Sequence, residues 1–179
     1  MILGVIGYGT IATLALQSLA RDLKQPLAKV VCLAKPGGEE RARTLLAGCK
    51  GLADICEVVT DLDSFAKAAP YLVIEAAGHA ALAQCGARLL QQGCDFIVTS
   101  VGAVSDSALE AELRKAADHG GRLIFCAGAI GGLDILRAAK LSGSLQVTYR
   151  SRKAPRAWLG TKAEASVKLD TLTQATCFY

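Results

Sequence analysis

The sequence predicts an α/β fold with a doubly wound, mostly parallel sheet, followed by the start of a second, α+β domain. Short apolar runs alternate with amphipathic stretches from residue 2 to residue 126, which is typical of strands joined by helices. A glycine-rich turn stands between the first run and the first amphipathic stretch. The alternation ends after Ala127, so we predict two domains, residues 1–128 and residues 129–179.

The elements of the first domain follow from the spacing of its apolar residues. Strands are expected at residues 2–6, 28–34, 56–60, 71–76, 95–99 and 122–126. Helices are expected at residues 10–23, 39–47, 61–68, 80–92 and 105–119. Gly93 is a suitable residue to end the fourth helix, and Ser105 is expected to cap the fifth.

The pattern after residue 128 is different. It predicts a helix at residues 133–141 and strands at residues 144–151, 166–169 and 173–179. A segment of this size is too short to bury a core of its own, because even complete domains of about 60 residues are marginal. Since the chain also ends on an apolar strand, we expect it to be a truncated form of a longer protein.

Composition and charge narrow the class of protein. Apolar residues make up 52% of the 179 residues and aromatic residues 5%, while the net charge of +4 is spread along the chain. This argues against disorder and against a nucleic-acid partner. Seven cysteines without a Cys-x-x-Cys pair predict free thiols and no metal site. With no leader and no membrane span, the protein is expected to be cytoplasmic and to have no membrane partner.

The glycine-rich turn carries the first functional signal. Residues 7–12 read Gly-Tyr-Gly-Thr-Ile-Ala, a G-x-G-x-x-A pattern between a strand and a helix. Gly7 permits the tight turn, Gly9 lets a pyrophosphate approach the backbone, and Ala12 lets the helix pack closely. The turn therefore predicts a Rossmann-type NAD(P)-binding domain. The expected cofactor contacts in the turn are Gly7, Tyr8, Gly9, Thr10 and Ile11.

The end of the second strand bears on the choice between NAD and NADP. An NAD site places an acidic residue there for the ribose 2′-hydroxyl. This chain has Lys35 and no acid before Glu39. Lys35 either meets a 2′-phosphate or is a solvated lysine, so the expected cofactor is NAD or NADP.

Three further loops of small residues follow strands, at residues 75–79, 100–103 and 127–131. Because the carboxyl ends of parallel strands share one edge of the sheet, these loops are expected to extend the site toward the nicotinamide. His79 either touches the ligand or caps the next helix, and a positional role is favoured over catalysis. The expected cofactor contacts in these loops are Ala77, Gly78, His79, Ser100, Val101 and Gly102.

These segments resemble the L-aspartate dehydrogenase family of NAD biosynthesis. The matching segments are residues 7–12, 75–79, 100–103, 128–134 and 151–161. The resemblance implies NAD(P)-dependent oxidative deamination of L-aspartate to iminoaspartate, which hydrolyses to oxaloacetate and ammonia. It also implies that Ala129 lies beside the nicotinamide.

The chain departs from the family in two respects. Ala12 stands where the third turn position is usually Gly. The family also has a cofactor-contacting Asn and a catalytic His in the second half of its substrate domain, and both positions lie beyond residue 179. His119 ends a predicted surface helix and is no substitute. No catalytic residue is therefore assigned in this chain, which is expected to turn over aspartate negligibly.

A cationic segment in the last matching motif bears on the substrate. A dicarboxylate needs fixed cations, so Arg152 and Lys153 are the expected contacts for L-aspartate or iminoaspartate. The alternative is a solvated strand edge on which Lys and Arg discourage pairing. An incomplete second domain would expose apolar edges, so a homodimer is expected.

Two other functions stay open beside aspartate dehydrogenase. One is a related reductase that acts on another amino or keto acid. The other is a non-catalytic dinucleotide-binding module or redox sensor. Aspartate-dependent formation of NADH by a longer form of the protein would separate them.

Overall fold

The computed structural model describes residues 1–128, 131–143 and 145–178. The chain divides into two compact units, Met1–Gly131 and Gly132–Tyr179. The first unit holds the sheet. The predicted domain boundary between residues 128 and 129 stays a prediction, because Ala129 lies outside the described residues.

Within the described residues, the first unit is built on a six-stranded sheet in the order β3-β2-β1-β4-β5-β6, and all its pairings are parallel. The strands are β1 (Ile2–Ile6), β2 (Leu27–Leu33), β3 (Ala53–Val59), β4 (Leu72–Glu75), β5 (Asp95–Val98) and β6 (Leu123–Phe125). The chain reverses its direction of winding between β1 and β4. In such sheets the ligand crevice lies at the carboxyl ends of those two strands.

Helices lie on both faces of the sheet. They are α1 (Thr10–Asp22), α2 (Glu39–Ala47), α3 (Leu62–Lys67), α4 (His79–Gln91) and α5 (Ser107–Asp118), with a 3₁₀ turn at Val101–Ser105. Leu16 of α1 and Leu45 of α2 are buried in a cluster on one face. Phe65 of α3, Leu82 of α4 and Leu113 of α5 are buried on the other. The predicted doubly wound fold is confirmed, and burial between helix layers explains why its strands read as apolar runs.

Two predicted boundaries differ from the structure by more than one residue, each for a physical reason. β3 begins at Ala53, earlier than predicted. Ala53 pairs with Leu27 of β2, so the strand extends on its N-terminal side beyond the apolar run from which it was predicted. The helix after β5 begins at Ser107, since Asp106 is its N-cap and accepts hydrogen bonds from the amides of residues 108 and 109. The hydroxyl of Ser105, the expected cap, instead donates to the carbonyl of Gly102 at 2.9 Å.

The second unit is mostly irregular. Its helix, α6 (Leu133–Leu141), lies where the sequence predicts it, and 3₁₀ turns follow at Pro155–Trp158, Lys162–Ala165 and Leu169–Thr171. The predicted strands are wrong for the described residues 145–151, 166–169 and 173–178, which carry no strand. Alternating apolar residues form a strand only when a neighbouring strand pairs with the backbone. Ser144 and Tyr179, also predicted in strands, lie outside the described residues.

Among the described residues, no helix has both the length and the apolar character needed to cross a bilayer.

Candidate cofactor site

The turn from β1 to α1 leaves room for a ligand at the start of the helix. Gly7 has φ of +101°, and a Cβ there would lie 2.6 Å from the carbonyl oxygen of Ala76. Only glycine fits between β1 and β4 at this point. A Cβ on Gly9, the N-cap of α1, would meet no atom within 4 Å, and no side chain caps the helix. The first amides of α1 therefore face open space, which is the arrangement that binds phosphate oxygens.

The side chains of the turn lie on two sides of this opening. Thr10 and Ile11 are exposed on the first turn of α1. Tyr8 leans toward the loop after β2, where its hydroxyl occupies the space that a Cβ on Gly38 would need. The guanidinium carbon of Arg41 lies 5.3 Å from the centroid of the Tyr8 ring, a cation–π contact. Arg41 was not predicted from the sequence, although a basic residue in the first turn of α2 was a usable signal.

Lys35 lies in the loop between β2 and α2. Its side chain is exposed, and its carbonyl accepts a hydrogen bond of 2.8 Å from the amide of Gly38, which closes the turn. Arg41 follows in α2 and is also exposed. This connection therefore offers two cations to a ligand at the end of β2.

Glu75 ties together the loops that follow β4 and β5. It is the last residue of β4 and is 0% exposed. Its Oε1 accepts hydrogen bonds of 2.8 Å from the amides of Ala77 and Gly78 and from the hydroxyl of Ser100. Its Oε2 accepts from the amide of Ser100 at 3.1 Å. All four partners are donors, which suits a deprotonated carboxylate.

The loops after β4 and β5 also contact each other through His79. Its imidazole lies against Gly102, because a Cβ added to Gly102 would be 2.9 Å from the His79 Nε2. The N-cap of α4 is Gly78, and no side chain caps the helix. Of the two alternatives for His79, capping of this helix is therefore excluded, and its contact is with the loop after β5. Val101, another expected contact, opens the 3₁₀ turn in that loop and is half-buried.

The buried thiols near the site have raised pKa values and low reactivity. Burial raises the pKa of Cys32 to about 12, and its Sγ donates to the carbonyl of Gly7 at 3.9 Å. Burial, followed by the charge of Glu75, raises the pKa of Cys85 on α4. A thiol with a raised pKa stays protonated near neutral pH and is a poor nucleophile.

The remaining predicted residues lie apart from this rim in the sequence. Ala129 lies outside the described residues. Arg152 and Lys153 belong to the second unit, where they line a groove of about 1030 Å³ between residues 149–155 and 172–178. The ammonium of Lys153 is 5.0 Å from the centroid of the Trp158 ring. Both cations are exposed, so their charge is available to solvent or to a ligand.

The first unit therefore brings together, at the carboxyl edge of one sheet, the predicted contacts of the glycine-rich turn and of the loops after β4 and β5. The open start of α1, the small residues beside it and the rim held by Glu75 fit a dinucleotide. From the sequence, Glu75 was identified only as part of a loop. A charged residue at the end of a buried strand was the signal that it needed an internal partner.

Sequence comparisons agree with this geometry. Residues 7–127 match the family model described as homoserine dehydrogenase, NAD binding domain. The chain is 37% identical over 178 residues to the L-aspartate dehydrogenase of Polaromonas sp. (strain JS666), covering 99% of this chain and 64% of that protein. It is 36% identical over 172 residues to the L-aspartate dehydrogenase of Ruegeria pomeroyi, covering 96% and 58%. The chain thus spans about three fifths of the length of these curated relatives.

A solved structure supports the fold. The aspartate dehydrogenase from Thermotoga maritima superposes with a TM-score of 0.53 at 20% identity, covering 78% of this chain and 51% of that chain. At this identity the likeness shows the fold alone. That fold is the Rossmann-like dinucleotide-binding fold predicted from the sequence.

Proposed function

This chain belongs to the L-aspartate dehydrogenase family and has NAD or NADP as its cofactor, and from this premise we propose that the whole protein oxidatively deaminates L-aspartate. The product is iminoaspartate, which hydrolyses to oxaloacetate and ammonia, and we place the reaction in NAD biosynthesis. The observation that carries the proposal is the open N-terminus of α1 beside Gly9, joined to a rim of small residues at the same edge of the sheet.

The chain's own residues divide the work of holding the cofactor. The first amides of α1, with residues 7–11, bind the pyrophosphate. Lys35 lies at the adenosine ribose. Residues 77–79 and 100–102, together with Ala129, position the nicotinamide. When bound, the dinucleotide supplies the acceptor for a hydride, so the protein's task is orientation and exclusion of water.

The substrate contacts proposed for this chain are Arg152 and Lys153. Their charge complements the two carboxylates of aspartate, and the guanidinium allows a bidentate contact. We assign no catalytic residue among the 179 residues. In our proposal this chain binds the dinucleotide, while turnover of aspartate belongs to a longer form that spans the length of the relatives.

The proposal is tested by binding and turnover together. The 179-residue chain is titrated with NADH and NADPH, with cofactor fluorescence as the signal, and a form of the length of the relatives is assayed for NADH formation from aspartate, alanine and glutamate. We expect binding by the chain and turnover of aspartate by the longer form. Turnover of alanine or glutamate instead would favour a related dehydrogenase, and binding without any turnover would favour a non-catalytic module.

We also propose that the protein is a cytoplasmic homodimer. Exposed apolar side chains on α6, with Ile135 at 69% and Leu141 at 90% exposure, support a contact with a second copy. Sedimentation equilibrium of the chain and of an Ile135→Ser, Leu141→Ser variant tests it. Monomeric wild-type protein at micromolar concentration would contradict the dimer.

A further inference from the structure

Two charged side chains are buried among the described residues, Glu75 at 0% and Asp95 at 7% exposure. Asp95 has a cationic partner, because Arg122 donates to it through its guanidinium. Among the described residues, the Glu75 carboxylate accepts its hydrogen bonds from amides and a hydroxyl instead of a cation. Its charge is therefore held by the backbone of the site itself.

We propose that Glu75 is a positioning residue for the cofactor: its carboxylate joins the loops after β4 and β5 into one rigid rim that sets the affinity for the nicotinamide half. The proposal rests on the dinucleotide binding of the proposed function and not on the choice of substrate.

Little side-chain packing holds the loop after β4 in place. Ala77 is exposed, Gly78 has φ of +122°, and a Cβ on Gly78 would meet no atom within 4 Å. Neither residue has a side chain that could anchor the loop by packing. The hydrogen bonds from the amides of Ala77 and Gly78 to Glu75, both 2.8 Å, therefore hold this backbone, together with the amides of residues 81 and 82 that donate to the Gly78 carbonyl.

The loop after β5 depends on the same group. Ser100 donates to Glu75 through both its amide and its hydroxyl, across 25 residues of sequence. Because both loops donate hydrogen bonds to the same carboxylate, neither loop can shift relative to the other without breaking some of these hydrogen bonds. The contact of His79 with Gly102 extends this coupling along the rim.

Folding alone gives no reason for a charge at this position. The three residues before Glu75 in β4 are Leu72, Val73 and Ile74, and a buried carboxylate carries a desolvation penalty that an apolar side chain would not. A buried polar group is retained where its hydrogen bonds organise something specific. Here those bonds end on the backbone that borders the crevice between β1 and β4.

The position of the rim indicates which half of the cofactor it serves. In a doubly wound sheet the first turn holds the pyrophosphate and the end of β2 holds the adenosine ribose. The other mononucleotide then lies over the ends of β4 and β5. Glu75 should therefore affect a ligand that carries nicotinamide more than one that lacks it.

The test compares NADH with ADP-ribose, which keeps the adenosine, the pyrophosphate and the second ribose. Glu75→Gln preserves the shape of the side chain but replaces one acceptor oxygen by an NH₂ donor, so one of the four donors loses its partner. In the 179-residue chain we expect the Kd for NADH to rise about ten-fold and the Kd for ADP-ribose to change by less than about two-fold. A role limited to stability would lower Tm and leave the ratio of the two Kd values unchanged.

Two further variants complete the test. Asp95→Asn alters the other buried carboxylate and is expected to lower Tm while leaving both Kd values unchanged. Ser100→Ala removes one of the four bonds to Glu75 and is expected to shift the Kd ratio in the same direction by a smaller factor, which tests the rim even if Glu75→Gln does not fold.

Equal weakening of both ligands, or of neither, in the folded variants would overturn the proposal. Wild-type protein that binds neither ligand would overturn it together with the cofactor assignment. A changed Kd ratio in a protein whose longer form does not oxidise aspartate would retain the role of Glu75 and reject the substrate.

Discussion

The two ends of the parallel sheet each bury a carboxylate, and the two are satisfied in opposite ways. At the carboxyl end, the partners that Glu75 has among the described residues are loop amides and one hydroxyl. At the amino end, Asp95 accepts from the amide of Arg122 at 2.8 Å and from its guanidinium at 3.0 and 2.6 Å. The hydrogen bonds from the Arg122 guanidinium, and to a lesser extent the one from the Arg122 amide, hold the pKa of Asp95 below its ordinary value.

We infer from this difference that one sheet separates stability from ligand binding. The ion pair at the amino end joins the start of β5 to the residue before β6. At the carboxyl end a cationic side chain would fill the crevice, whereas amide donors satisfy the carboxylate and keep the loops open. Substitutions at the carboxyl end should therefore alter binding, and those at the amino end should alter folding.

The largest effect is expected at Gly7. Gly7→Ala would force a Cβ to within 2.6 Å of the Ala76 carbonyl at a positive φ. The strain should lower the free energy of unfolding by about 1–3 kcal/mol and abolish measurable NADH binding. Urea denaturation and cofactor fluorescence measure the two effects.

Gly9→Ala is the matched control for that variant. A Cβ on Gly9 meets no protein atom within 4 Å, so the stability should be unchanged. The methyl group would nevertheless occupy the approach of the pyrophosphate, and binding should weaken. A Gly9→Ala protein with wild-type affinity would show that the phosphates do not bind at the start of α1.

Asp95→Asn is the corresponding change at the amino end. It should lower Tm by about 2–6 °C near pH 7 and leave NADH binding intact. Because the pKa of Asp95 is lowered by folding, its stabilising contribution is present above the unfolded value of 3.8 and is lost as the pH falls through the folded value. The variant's stability should therefore depend less on pH in that acid range, as followed by thermal unfolding. A drop in NADH affinity without unfolding would contradict the separation of the two ends.

A smaller effect is expected at the contact between the loops. Gly102→Ala places a methyl group 2.9 Å from the Nε2 of His79, an exposed side chain that can move aside. Stability should change little, and NADH affinity should fall by about three- to ten-fold because the rim is displaced. The double variant with His79→Ala should recover part of the loss, as measured by fluorescence titration. No recovery would mean that the contact does not position the loop.

The smallest effect is expected at the adenosine end of the crevice. Lys35→Ala or Arg41→Ala should weaken NADPH binding about three- to five-fold and leave NADH binding nearly unchanged, since each removes one exposed cation from a 2′-phosphate. Equal affinities for NADPH before and after both substitutions would identify these side chains as solvated cations. Titration at low and physiological salt separates screening from loss of contact.

Much of the first unit could be predicted because its signals are local. Apolar runs, helix periodicity and a glycine turn are each read within about ten residues, and the strand and helix order follows from them. β3 was predicted too short because its first residues gain their strand conformation from pairing with β2 and not from their own apolar character. The strands of the second unit were predicted only from the alternation of apolar and polar residues. Among the described residues there, no backbone ladder forms, and the chain is irregular or forms turns.

By itself the sequence determined the winding of the sheet, the glycine-rich turn and the family, since each depends on residue types at short spacing. Only the tertiary structure decided that Asp106 and not Ser105 caps α5, and that Arg41 lies over the ring of Tyr8. It also decided that Glu75 joins two loops, because its partner Ser100 is 25 residues away in sequence. Hydrogen bonds across such distances exist only once the strands are in register, so no local pattern encodes them.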